Sequence, residues 1–445
     1  MGMTSDMGMD AFSDDFRRDP YPHYARIRDG AAAQIEEQPT GLRSWVVPSY
    51  RHARQVLLDA RFSSSLAGAD VENLRRGGVV GQDGEAALGQ SMIMSDPPIH
   101  TRLRGLVSRA FTPRRVEALR PYVQGVADQL LDAMSPKGSA DLVADLAEPL
   151  PATVICGMLG VRPDDHADFR RWLRAMLTSV TTEDVREPRE EGRGALYRYL
   201  AGLVGSRQPE VDLELPGSQQ PDLLSALIRA HDSEGRLNQR ELVGMVLLII
   251  IAGFETTRHL IGNGMLALFQ HPNQLELLRC RPDLLPSAIE ELLRFDAPVP
   301  RVTYRVATED LPIGDVAIPA GDLVTVLLGS ANRDQRRFED PDRLDITRED
   351  NQHLAFGIGH HYCLGAPLAR LEGEIVIGTL LRRLPDIHLV DGAELRWPGT
   401  SLFLRGLEAL PVAFTPEPSS PPAMPLESPR VAWRRREPPT SSMSS

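Results

Sequence analysis

Residues 353–370 read HLAFGIGHHYCLGAPLAR, and this stretch decides the fold. It sets Cys363 between glycines, beside the paired histidines His360 and His361, at the head of an apolar segment. A buried free thiol is the common fate of a lone cysteine. Zinc is a second reading, with His353, His360 and His361 close by. Both fit poorly. Zinc ligands fall into CxxC or HxxxH spacings, and adjacent histidines do not easily face one ion. Gly357, Gly359 and Gly365 would be wasted around a core thiol; they permit a tight turn and let backbone approach something flat and large. The following run, CLGAPLARLEGEIVIGTLLRRL, reads as a helix starting at the cysteine, which places a thiolate where amide N–H groups and the helix dipole stabilise it.

The rest of the chain narrows the class. Its 445 residues carry a net charge of −12, with 42% hydrophobic and 25% charged residues, the composition of a globular protein. An acidic balance argues against nucleic-acid binding. Lys137 is the only lysine among 49 cationic residues, a signature of GC-rich coding. Three cysteines (Cys156, Cys280, Cys363) form no disulfide framework, so a reducing cytoplasm is expected. The N-terminus lacks an apolar core, and the longest apolar run, LVGMVLLIIIAGF at 242–254, is too short to span a bilayer. No membrane association is expected.

Apolar spacing at three and four predicts helices at 49–60, 112–134 and 164–180. Asn238 and Glu241 form a capping box for a helix running to about Phe269, roughly 45–50 Å long, closed by His271-Pro272. A helix at 284–295 follows, then strand-like sequence at 302–329 with turns at Gly314 and Gly321, and more near 387–390 and 401–413. The expected fold is mainly α with small β-sheets. Residues 1–14 read as a flexible N-terminus, 15–415 as one domain, and the Pro/Ser/Arg-rich 416–445 as a disordered tail. GNGMLA at 262–267 fits a dinucleotide pattern but lies inside a helix with no preceding strand, so it is discarded.

The run Phe356-Gly357-x-Gly359-x-His361-x-Cys363-x-Gly365 resembles the haem-binding loop of cytochrome P-450. Three further motifs follow the family's order. Ala252-Gly253-Phe254-Glu255-Thr256-Thr257 is similar to its oxygen-activation motif, in which a threonine bonds back to a carbonyl one turn earlier and an acid beside it relays protons. Glu291-Leu-Leu-Arg294 taken alone reads as a surface ion pair. In the family it joins an arginine of a later segment behind the haem loop, and Arg343 in FEDPDRLD stands at that place, followed by Leu344 where Phe is usual. DPPIHTRLRGLVSRAFTPRR at 96–115 resembles the helix that supplies His100 and Arg104 to the haem propionates, with Arg305 and His361 as further contacts.

The resemblance implies the cytochrome P-450 fold, with haem b (iron protoporphyrin IX) between the long helix and the cysteine helix. Cys363 would ligate iron, Phe356, Gly357, Gly365 and Ala252 would border the haem, and Thr256 and Glu255 would manage protons. It implies a monomeric monooxygenase that inserts one atom of O2 into a small molecule, fed by a ferredoxin and an NAD(P)H-dependent ferredoxin reductase. Arg109, Arg114 and Arg115 would receive that partner. Family members with an AGxETT helix often oxidise polyketides, macrolides, terpenoids or peptide-derived metabolites. Oxidative coupling, a peroxide-driven reaction and a catalytically silent haem protein are the rival readings; the Glu255-Thr256 pair disfavours the last two. Pocket walls are expected at 64–94, 244–256, 297–303 and 400–403, with Leu248, Ile251, Ala252, Val299 and Phe403 apolar and Arg301 placed to meet a substrate carboxylate or carbonyl, unless its strand register turns it away. Phe254, Arg258, His259 and Arg301 depart from the family; Arg258 and His259 lie within reach of the Glu255 carboxylate, and two readings stay open, that they gate proton delivery or that they face solvent or the neighbouring helix.

Overall fold

The computed structural model describes residues 13–80, 91–108, 111–161, 165–177, 186–216, 219–232, 237–398 and 401–418. Helices dominate, flanked by three small sheets. The long helix runs Gln239–Gln270, about 48 Å. Asn238 and Glu241 cap it reciprocally, each side chain accepting the other's amide at 2.9 Å. Most of its residues are buried on every face, as expected of a helix apolar all round. By length and composition it could cross a membrane, but 78% of its apolar window lies inside the protein.

The expected helix over 112–134 is two, Pro113–Ala118 and Arg120–Met134. Pro121 has no amide to return to the carbonyl of Glu117, so the chain breaks at Leu119. The helix expected to start at Cys363 begins at Ala366 and runs to Arg383. The Cys363 amide is instead spent on the carbonyl of Phe356, 2.8 Å away, which closes the preceding loop. Leu285–Phe295 packs beside both core helices.

The largest sheet orders its strands Gln34–Glu37, Arg43–Val47, Leu323–Val326, Arg305–Ala307 and Phe62–Ser63. Only the pairing of Arg43–Val47 with Leu323–Val326 is parallel. A hairpin of Leu311–Ile313 and Val316–Ile318 turns at Gly314, whose φ of +60° suits glycine. Of the strand-like 401–413, only Pro411–Ala413 pairs, between Ser139–Asp141 and His388–Leu389. Residues 401–407 instead form a loop fastened at several points. Arg405 donates to the carbonyls of Arg17 and Arg18 and to Asp296 at 2.7 Å, tying this loop to the first helix, Asp14–Arg18.

Ordered contacts reach past residues 15 and 415 at both ends. Ser13 caps Asp14–Arg18, its hydroxyl accepting from the amide of Phe16. Glu417 pairs with Arg383 at 2.6 Å, so residues 416–417 belong to the folded body. The expectations for residues 1–12 and 419–445 lie outside the described residues, as do those for 81–90 of the glycine-rich stretch and for Arg109.

Candidate functional site

The cysteine loop is built by backbone that only glycine tolerates. Gly357 and Gly359 sit at φ +67° and +78°, turning the chain so that Cys363 faces inward. Amides of Gly365 and Ala366 donate to its sulfur. Burial pushes the thiol up, while those amides, Arg104 and Arg370 pull it down; the net direction is up. A bound cation would hold the sulfur as a thiolate against that burial. Phe356 lies under the Arg370 guanidinium, 4.7 Å from its ring centre, and Arg370 is clamped by Glu290 at 2.6 and 2.8 Å.

Three separate segments bring His100 and Arg104, Arg305, and His361 together at this loop. His100, 2% exposed, lies 4.4 Å from His361 ring to ring. Arg104 donates to the carbonyl of Tyr362 at 2.8 Å, and buried Arg305 to that of Phe62 at 3.2 Å. His361 shares a hydrogen with the Ser64 hydroxyl at 2.8 Å. Burial, with Arg305 next, drives the His361 imidazole down to about 2; burial, with His360 next, takes His100 to about 4. The buried Nε2 of His100 makes no hydrogen bond among the described residues. Two guanidiniums beside neutral imidazoles that can donate N–H bonds, one imidazole with an orphaned nitrogen, suit a ligand bearing carboxylates.

The long helix opens at one point. Ala252 is exposed and Ile251 and Thr256 are half-buried, although Phe254 and Glu255 beside them are buried. The Thr256 hydroxyl donates to the carbonyl of Ala252 at 2.6 Å, the one-turn back-bond its sequence predicts. Glu255 meets Arg258 at 3.3 Å and His259 at 3.5 Å. Arg258 also reaches Glu148 at 3.5 Å and donates to the carbonyl of Leu407 at 3.0 Å. His259 presses against Gly406, where a Cβ would lie 1.6 Å from its ring nitrogen. Burial and Arg258 hold its imidazole neutral. One residue the sequence reading missed is Glu372, on Ala366–Arg383: it is buried, hydrogen-bonded to Thr257, and pushed up to about 8 by burial. An acid inside the run LEGEIVIGTLL was the signal.

Two expectations need correction. Arg301 does not line a pocket with its charge: it is 1% exposed and paired through both terminal nitrogens with Glu36, one contact at 3.0 Å. An acid on the edge strand Gln34–Glu37 supplies what a substrate carboxylate would have. Arg343 does not bring its guanidinium to Glu291. Its side chain is exposed, and its carbonyl accepts from Arg294 at 3.2 Å. The second cation on Glu291 is Arg348, at 3.2 Å. Glu291 and Arg294 are both 0% exposed and joined at 2.7 and 2.8 Å, so the surface-pair reading fails. Of the other pocket residues, Leu248 is buried, while Val299 and Phe403 are half-buried, Phe403 edge-on to Tyr304.

The cytochrome P450 family model matches residues 51–280 and 282–385, across the loop, the long helix and the buried Glu291 network. The chain is a cytochrome P450. It is 45% identical over 412 residues to the cytochrome P450 monooxygenase PikC of Streptomyces venezuelae, covering 92% of this chain and 94% of that protein. It is 42% identical to 6-deoxyerythronolide B hydroxylase of Saccharopolyspora erythraea, covering 91% and 98%. Among solved structures, myxobacterial CYP267B1 in complex with myristic acid superposes with a TM-score of 0.85 at 37% identity, covering 91% of this chain and 98% of that one. The cytochrome P450 fold predicted from the sequence is the fold found.

This P450 is a haem b monooxygenase that inserts one atom of O2 into a small molecule, with electrons from redox partner proteins. The residues present fit the cofactor: a half-buried cysteine on a glycine-shaped loop, an opening in the long helix, and two guanidiniums among imidazoles beside the loop. Bound there, haem supplies a redox-active iron whose thiolate ligand favours O–O bond cleavage. The protein's part is to bind, orient, exclude water and deliver protons.

Proposed function

We propose that this P450 hydroxylates a neutral, largely apolar metabolite of the polyketide or macrolide kind. The carrying observation is Arg301 neutralised by Glu36, which leaves Leu248, Ile251, Ala252, Val299 and Phe403 as an apolar set. The name of 6-deoxyerythronolide B hydroxylase supports a substrate of this class. Cys363 ligates the iron. His100, Arg104, Arg305 and His361 hold the propionates, and Phe356, Gly357, Gly365 and Ala252 border the porphyrin. Thr256 and Glu255 deliver protons, and Arg258 and His259 position Glu255. Electrons come from a ferredoxin served by an NAD(P)H-dependent reductase, docking near exposed Arg114 and half-buried Arg115, on a cytoplasmic monomer.

The test is an optical titration of the ferric enzyme with paired metabolites, each as free acid and as methyl ester, following the low- to high-spin Soret shift. Esters and neutral lactones are expected to bind at least as tightly as the acids. A consistent preference for the acids would overturn the neutral-substrate reading and place an unpaired cation in the pocket.

A further inference from the structure

His360, between Gly359 and His361, has no part in the roles given so far. It is half-buried, yet its Nε2 is fully buried and makes no hydrogen bond among the described residues. Its ring stands edge-on to His100 at 5.2 Å and 4.4 Å from His361. His100 and His360 thus carry two unpartnered ring nitrogens into one place, and Arg305 and Arg104 both act on His360 electrostatically. Buried polar atoms are rarely left unpaired in a native protein, so two together mark where a ligand belongs.

The charge of that place selects the ligand. Asp96 is the carboxylate facing the three imidazoles and the Arg305 guanidinium. Its oxygens are already taken by the Ser63 hydroxyl and by the Ser64 amide at 2.9 Å. Asp96, His360 and His361 do bring donor atoms within 4.8 Å of one another, as a metal ion would need. Two permanently charged guanidiniums beside them repel a cation and favour an anion.

We infer that His360 is a haem-propionate ligand, donating from Nε2 alongside His100 and giving this loop an imidazole beyond the one at His361. The inference rests on the reading of His100, Arg104, Arg305 and His361 as propionate contacts. It predicts a cofactor held more tightly at its propionate edge than those four residues alone would hold it.

The experiment compares the holoenzyme with His360→Ile, His360→Gln and Arg305→Leu. Resonance Raman spectra report the propionate bending band, and haem transfer to excess apomyoglobin reports retention. His360→Ile is expected to shift the band and to speed haem loss about tenfold, the worth of one charge-assisted hydrogen bond. His360→Gln, which keeps an N–H donor, is expected to restore both toward wild type. If Arg305→Leu moves the band and His360→Ile does not, His360 is no propionate ligand and the inference is overturned. If Arg305→Leu also leaves the band in place, the underlying propionate reading fails with it.

Discussion

Glu372 holds its proton at neutral pH. Its unfolded-state value lies near 4.5, and burial raises it to about 8 in the folded protein. Between those limits the unfolded chain has released a proton that the folded one retains, so the folded state loses stability as pH rises through that window. Glu372→Gln removes this dependence while keeping the shape. Its stability relative to wild type is expected to climb from pH 5 to pH 8, at up to roughly 1.4 kcal/mol per pH unit. Paired thermal melts at the two ends check it, and a constant gap would mean the carboxyl is ionised throughout. Individual side chains were also where sequence reading was weakest. Arg301 reads as a pocket cation until Glu36, 265 residues away, is seen to neutralise it. Arg343 and Arg348 lie five residues apart, and only the folded backbone decides which guanidinium reaches Glu291.

At the scale of elements, the long helix and the loop 401–407 act on one acid. Arg258 touches Glu255, Glu148 and the Leu407 carbonyl, and Asn263 donates to the Arg405 carbonyl at 3.0 Å. A loop that carries Phe403 is therefore tied to the helix that carries Glu255. Arg258→Ala is expected to lower product formed per NAD(P)H several-fold, with peroxide released instead, and Arg258→Lys to recover part of it. Unchanged coupling in Arg258→Ala would remove Arg258 from proton delivery. The helix itself was legible because its signals are local: a capping box at one end, His271-Pro272 at the other, and an apolar run between. Strands Gln34–Glu37 and Arg43–Val47 were not, because QIEE shows no alternation and the partner of Arg43–Val47 lies at Leu323–Val326.

The whole molecule hangs on buried charge. Glu291 accepts from Arg294, Arg348, Asn351 and the amide of Asp345, while Arg294 donates to the carbonyls of Asn332, Pro341 and Arg343. Glu291→Gln leaves buried Arg294 and half-buried Arg348 short of a counter-charge, and breaking such a buried pair costs roughly 3–5 kcal/mol. Urea unfolding of the two proteins measures it; a loss under about 1 kcal/mol, the range of exposed pairs, would mean the network is hydrated. The order of four motifs across residues 96–370 made the architecture legible. One further consequence comes from the fastening of Arg405 to the carbonyl of Arg18, 387 residues earlier. During synthesis the first helix is made long before its anchor exists. At 5–20 residues per second that delay lasts roughly 20–80 s. For that interval the first helix lacks its fastening to Arg405.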